Sequence, residues 1–337
     1  MRHFRYKYYV VLGLLAITLC AFLSCTKQAQ TINYIAMDTV FEIKVYGVSE
    51  KELRAIESKA RSVTAELDSS LNFFSDKSEL AKINSSTRAT LSLHTCLILK
   101  RALEWYRISK GAFDPTVGPI TLLWNINAGE PRLPDSLEIQ KALAFVGADK
   151  IRIDGCNIQK PEQSKFDLGG IAKGYLTDLL FDSLRAMTNK PFLINAGGTI
   201  RGWGKDFIIG IRHPRKEGAI LARFVLPSGD AVATSGDYER YFIYNNKRYH
   251  HIMDPRTGKP ASGVCEVTII GENATDADCA STAVFVMGAE RGIEFLNYSD
   301  KLDGLIIFLD KNENLHYLMS DGMKKKMKVK LLEEVVK

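Results

Sequence analysis

The residues best suited to chemistry fall in three separated stretches. Lys165 to Asp178, KFDLGGIAKGYLTD, sets Asp167, Gly169, Gly170 and Lys173 just where a helical apolar pattern (Ile171, Tyr175, Leu179) begins. Glycines before a helix let backbone N–H groups approach a ligand, and a helix N-terminus favours negative charge. A phosphorylated ligand is one reading; the other is that Asp167 caps the helix and the glycines form its entry turn. In TDADCASTAVFVMG, Asp278 and Thr282 are spaced to share one helix face. A carboxylate and a hydroxyl suit a hard cation such as Mg2+, which keeps waters and phosphate oxygens as its other ligands. Helix-start capping, with Thr282 bonding back to a carbonyl, is the alternative, and Asp276 reads as a ligand or as the cap. In YHHIMDPRTG, His250 and His251 abut a turn and offer a group able to take a proton near neutral pH, or a structural histidine.

Several familiar sites are not supported. No H-E-x-x-H is present, INAGGTIRGWG lacks G-x-G-x-x-G spacing, and GGIAKGY lacks the G-K-[ST] of a nucleotide triphosphate loop. Cys96, Cys156, Cys265 and Cys279 are scattered without a C-x-x-C, which argues against structural zinc and leaves any disulfide pairing open. Met37, Phe74 and Phe113 would be equally at home in a core.

The chain opens with a secretory pattern: basic Arg2, Arg5 and Lys7, an apolar Tyr8 to Leu23, and Ser24-Cys25, where FLSC is similar to a bacterial lipobox. The apolar run is short of the ~20 residues that span a bilayer. Residues 1–24 are therefore expected to be a lipoprotein signal peptide, Cys25 the lipidated residue, 25–33 a tether, 34–330 the catalytic domain and 331–337 a tail. The protein would then face an extracytoplasmic compartment, anchored by lipid; Thr26 gives no retention aspartate, which favours the outer membrane. Loss of the signal removes three basic groups and no acid, lowering the formal charge from +6 to +3, too little to imply nucleic acid as a partner.

The elements that must position these residues can be read in outline. Val40 to Gly47 alternates like a strand; Ser49 and Glu52 form a capping box before a helix carrying Leu53, Ile56, Ala60, Val63, Leu67 and Leu71. A short helix is expected near Ser78, another from His94 to Ser109 stopped by Gly111, and a third from Ser136 to Val146. Pro115, Gly118 and Pro119 predict a structured loop without regular helix around Phe113 and Asp114. The remainder is strand-rich (192–195, 206–211, 220–226, 231–234, 238–244, 264–270), with an Asn245-Asn246 hairpin turn, helices near 275–287 and 289–297, and two closing strands. Without strict β-α alternation, a mixed, mostly antiparallel α+β fold with helices packed on the sheet is expected, as one domain that could have two lobes.

Taken together, MDT, FFSDKSELAKIN, GAFDPTVGPITLLWN, KFDLGGIAKGY, INAGGTIRGWG, TSGDYERYF, HHIMDPRTG and DADCASTA, in this order, resemble the FAD:protein FMN transferase family, also called ApbE. The resemblance implies magnesium-dependent transfer of FMN from FAD to a threonine or serine hydroxyl of an extracytoplasmic protein, with release of AMP. It implies that Met37, Phe74, Ala112, Phe113, Asp114, Asp167, Lys173 and Ile252 line the FAD site. The Gly170 carbonyl, Asp278 and Thr282 would hold the metal, and His251 would be the general base. Phe74 stands where the family often has tyrosine or tryptophan, which keeps ring stacking and loses a hydroxyl. Hydrolysis of FAD to FMN and AMP, or storage of FAD without chemistry, are the competing functions.

Overall fold

An eight-stranded sheet organises the chain, in spatial order Ala29–Ala36, Thr39–Tyr46, Phe192–Ala196, Thr199–Trp203, Ala231–Gly236, Glu266–Gly271, Leu302–Leu309 and Leu315–Met319, with neighbours antiparallel throughout. The computed structural model describes residues 29–126, 130–326 and 329–331, so the signal segment and Cys25 lie outside the described residues. The mixed antiparallel α+β architecture is the one expected.

The sheet is covered on both faces. On one, Phe41, Ile43, Ile194, Ala233, Val267 and Ile269 join the main core with the helices Glu50–Leu71, Ala172–Met187 and Ala274–Met287. On the other, Val232, Ile270, Leu305 and Ile307 meet a small sheet made of Phe207–Arg212, Ile220–Leu226 and Lys330–Leu331. Coverage on both sides explains why Glu266–Gly271 is buried at every position instead of alternating. It also explains why Ala274–Met287, wedged between sheet and helix, is almost wholly buried and rich in alanine.

Local rules account for most boundaries. Ser49 and Glu52 make the expected capping box, and Ile56, Ala60, Leu67 and Leu71 face the core. Ser78 caps Glu79–Asn84, and Leu93–Ile108 ends ahead of Gly111 at φ +80°, whose N–H reaches Tyr106 O. Asn245 and Asn246 turn the Tyr241–Tyr244/Lys247–His250 hairpin at positive φ. Cys96 and Cys156 form a disulfide, whereas Cys265 and Cys279 are buried and free.

Four expectations need correction. The stretch read as tether is already structured from Ala29, because Ile32, Tyr34 and Ala36 alternate into the core and the strand pairs fully with Thr39–Tyr46. Pro119 does not prevent a helix: Gly118–Trp124 is helical with proline in its first turn, where its missing N–H would have had no partner. The strand expected from 238 starts only at Tyr241, after turn residues. Leu331, assigned to the tail, pairs with Ala222.

Candidate active site

Two helices build the floor of a cleft of about 420 Å³. Gly174, in the first turn of Ala172–Met187, packs so closely on Ala274–Met287 that a Cβ there would lie 2.4 Å from Ala274 O and 2.8 Å from Asp278 Cβ. Without a side chain the helices touch, and Gly174 N–H donates to Asp278 Oδ2 (2.9 Å). The same pair is clamped in the other direction. Asp178 accepts from Ala274 N–H (2.8 Å), Thr275 N–H (2.9 Å) and the Thr275 hydroxyl (2.6 Å), satisfying the first amides of the second helix. The stretch from Asp167 to Asp178 thus places Asp278 and Thr282 from a segment about a hundred residues away.

Loops supply the walls. Asp167 N–H bonds to Pro115 O (2.9 Å) and Gly118 N–H to Lys165 O (3.1 Å), laying the Ala112-Phe113-Asp114 loop against Asp167. Asn84 fixes the approach from the other side: it donates to Phe166 O (2.9 Å) and accepts from Phe166 N–H (2.7 Å). Asp167 does not cap the helix; its carboxylate accepts from Gly169 N–H (2.9 Å) and the Thr121 hydroxyl (2.7 Å), while Ile171 takes the cap position without a side-chain bond. Met37 and Asp38 turn the first hairpin at φ +47° and +55°, a strained setting for methionine that brings both to the cleft. Phe74 stands at the rim, 44% exposed and edge-on to Phe73.

The two histidines have separate fates. His250 is buried: its Nε2–H donates to Ala261 O (2.8 Å) and its Nδ1 accepts from Ile252 N–H (3.3 Å), a neutral structural ring outside the cleft lining. His251 lines the cleft, and its backbone N–H (3.1 Å) and Nδ1–H (3.3 Å) both donate to Arg240 O. That tautomer leaves the Nε2 lone pair free. Desolvation, and then the Arg240 charge, push the His251 imidazole down to about 3, so the ring is neutral across the ordinary pH range.

Asp278 is 3% exposed, and burial raises its pKa although Lys173 and Gly174 N–H pull the other way. Lys173 donates to Gly169 O (3.2 Å) and lies 3.8 Å from Asp278 Oδ1. Burial likewise raises Asp114, whose Oδ1 accepts from Thr116 N–H and hydroxyl. Gly170 abuts Thr282: a Cβ there would be 3.0 Å from Thr282 Oγ1 and from Phe113 Cε2. Among the described residues no group of three or more His, Cys, Asp or Glu could hold a metal by itself. One carboxylate and one hydroxyl beside a glycine backbone are hard oxygen donors, too few for a closed site. They fit a magnesium ion that takes its remaining ligands from water and phosphate.

All of the predicted FAD, metal and base residues line this one cleft, from Met37 and Phe74 through Ala112, Phe113, Asp114, Asp167, Gly170, Lys173 and His251 to Ile252, Asp278 and Thr282. Asp276 is not among them; it pairs with Arg101 and accepts from Trp105 Nε1–H (2.8 Å), a structural role. The sequence reading missed Asp38, Asp68, Thr121, Ser235, Glu239 and Arg240, which also line the cleft. Glu239 and Arg240 sit in the TSGDYERYF block and Asp38 in MDT, so the blocks held the signal without assigning those side chains.

Fold and cleft together define an α+β protein whose ligand site is split between two helices and the loops around them, with oxygen donors for a hard cation and one imidazole whose Nε2 is free. Comparison with known proteins makes this specific: the chain belongs to the ApbE family, whose profile matches residues 37–306. An FAD:protein FMN transferase of Treponema pallidum is 31% identical over 330 residues, covering 89% of this chain and 91% of that protein. One of Klebsiella pneumoniae is 30% identical, covering 86% and 91%. Among solved structures, the ApbE protein of Thermotoga maritima superposes with a TM-score of 0.81 at 33% identity, covering 88% of this chain and 98% of that one. Flavin transferase ApbE of Vibrio cholerae gives 0.78 at 26%, covering 88% and 99%.

Proposed function

We propose that the chain is an FAD:protein FMN transferase that moves FMN from FAD to a threonine or serine hydroxyl of an extracytoplasmic protein. The observation that carries this reading is the single cleft that gathers His251, Asp278, Thr282, Lys173 and Asp167 within an ApbE-family fold. In the reaction the acceptor oxygen bonds to the FMN phosphorus and the bridging P–O bond breaks. AMP leaves with the bridging oxygen, and the hydroxyl proton goes to the base.

His251 Nε2 takes that proton, with Arg240 O holding the ring by Nδ1–H. Gly170 O, Asp278 and Thr282 would hold magnesium, and the ion would neutralise charge developing on the phosphate oxygens. Gly174 N–H keeps Asp278 aimed at that position. Met37, Ile252 and the Ala112-Phe113-Asp114 loop enclose FAD, Phe74 stacks on a ring at the rim, and Lys173 and Asp167 flank the ligand. In-line placement of hydroxyl and phosphorus supplies much of the remaining acceleration.

Lipidation of Cys25, with the protein facing the periplasm, completes the reading; the Cys96–Cys156 disulfide supports an oxidising compartment. The test is incubation of the full chain in detergent with FAD, magnesium and a candidate acceptor, read by mass spectrometry. FMN covalently added to the acceptor is the expected product; free FMN and AMP alone would favour hydrolysis, and unchanged FAD would favour storage. His251→Ala is expected to bind FAD and transfer nothing.

A further inference from the structure

The cleft is lined by six carboxylates (Asp38, Asp68, Asp114, Asp167, Glu239, Asp278) but by only two cations, Lys173 and Arg240. A pyrophosphate entering such a site needs positive charge beyond a single metal ion. Lys173 is already engaged by Gly169 O and, more loosely, by Asp278. Arg240 is different. Other arginines of this part of the chain are matched to acids: Arg212 to Glu239, Arg215 and Arg248 to Asp237, Arg256 to Asp254. Among the described residues, Arg240 has only its backbone carbonyl engaged, by His251; the residue is half-buried and its guanidinium pairs with no carboxylate. Arg240 therefore presents an unmatched positive charge to whatever enters the cleft.

Its position says which anion. Arg240 O receives both the N–H and the Nδ1–H of His251, so the Arg240 backbone is fixed beside the imidazole, and the residue lines the same cleft. If His251 takes the proton of the attacking hydroxyl, Arg240 is on the side from which attack comes. A guanidinium there can reach the non-bridging oxygens of the phosphorus under attack, and its planar fork suits two of them. We propose that Arg240 is a substrate-binding residue that holds the non-bridging oxygens of the FMN phosphoryl group through transfer. This rests on the transferase reading above. It adds a contact on the attacking side, opposite the departing AMP.

The test separates phosphate recognition from general damage. Flavin affinities of Arg240→Gln and Arg240→Lys are measured with magnesium by fluorescence quenching, using FAD, FMN and riboflavin, and AMP by calorimetry. A charge-assisted hydrogen bond is worth roughly 10- to 100-fold in affinity. Arg240→Gln is therefore expected to bind FMN and FAD about that much more weakly, with riboflavin and AMP unchanged, and Arg240→Lys to recover part of the loss. Unchanged FMN affinity overturns the assignment. So does a parallel loss of riboflavin, which would mean a structural role, or a loss confined to AMP, which would put the arginine on the leaving side. A rise in KM for the acceptor protein alone would make it an acceptor contact instead. Wild-type protein that binds no flavin would remove the transferase reading itself, whereas flavin binding that is normal in wild type and unchanged in the variants removes Arg240's role alone.

Discussion

Gly174→Ala is a stringent probe of how the cleft is assembled. Its Cβ would meet Ala274 O at 2.4 Å, Asp278 Cβ at 2.8 Å and Thr275 Cα at 2.8 Å, and two of these three partners are backbone atoms that cannot rotate away. Bringing the shortest contact to the 3.0 Å that real Cβ atoms respect requires the helices to part by at least about 0.6 Å. Overpacking of this kind costs about 1–3 kcal/mol, and the better helix propensity of alanine returns about 1 kcal/mol. The net loss, up to about 2 kcal/mol, corresponds to a drop in Tm of about 3 °C for a protein of this size. The catalytic cost should be larger, because the displacement falls on the bond from Gly174 N–H to Asp278 and on the Asp178 clamp. A misplacement approaching 1 Å can cost ~100-fold, so a fall in turnover of roughly 10- to 100-fold is expected, with FAD binding less affected. The assay is FMN transfer alongside thermal melting, with Gly210→Ala as control, where the nearest contact of a Cβ is the flexible Cδ1 of Ile220 at 3.3 Å. Turnover within about twofold of wild type would refute the view that helix contact sets the position of Asp278.

Other outcomes follow from the same geometry. Because the free-enzyme His251 imidazole lies near 3, the acid limb of kcat/KM should fall well below pH 6.5, and an inflection at 6.5 would argue against His251 as the base. Glu266 is fully buried beside the Tyr238 and Thr268 hydroxyls, and burial raises its carboxyl to about 7. A folded pKa above the unfolded value means that the folded state holds the proton more tightly, so stability is full below about 4.5 and is lost as pH rises through 7. Glu266→Gln should remove that slope, worth roughly 3 kcal/mol, in urea titrations at pH 5 and 8. Replacing both Cys96 and Cys156 by alanine opens a 60-residue loop and should cost about 2–4 kcal/mol, a Tm drop of about 3–6 °C, with transfer retained below that temperature.

Much of the fold was legible because the decisive signals are local. The capping box at Ser49 and Glu52, the paired asparagines at 245 and 246, and the alternation in Thr39–Tyr46 each reflect interactions over a few residues. The failures occur where tertiary context overrules a local rule. Proline in a first turn looks like a breaker until a helix is known to start there, and Ala29–Ala36 becomes a strand by pairing with its neighbour across Met37-Asp38. Which residues gather at the cleft was legible by type and block order, while Arg240 and Thr121, which also line it, were not singled out. Their roles depend on which wall of the cleft they reach, and that is set by Arg240 O meeting His251 and by the Thr121 hydroxyl meeting Asp167.

The stretch from Lys165 to Asp178 shows why the simplest chemical reading of a glycine-led helix start falls short. A phosphate cradle needs free amides at the first turn. Here Ala172 N–H goes to Leu168 O, Tyr175 N–H to Ile171 O, and Gly174 N–H to the carboxylate of Asp278. A helix end of positive potential is thus spent on a protein acid, and partly offsets the desolvation that raises its pKa. The carboxylate it favours in the ionised form is the group best placed to attract a hard cation. On the reading proposed above, phosphate recognition falls to the cation and Arg240 instead of these amides. The glycines serve close approach at two points, Gly174 against the second helix and Gly170 against Thr282. If this division is right, Asp278→Asn should keep the helix contact and the fold yet lose magnesium dependence. Stability within about 1 kcal/mol of wild type and turnover down at least ~100-fold are expected. Equal losses of stability and turnover would instead make Asp278 a packing residue.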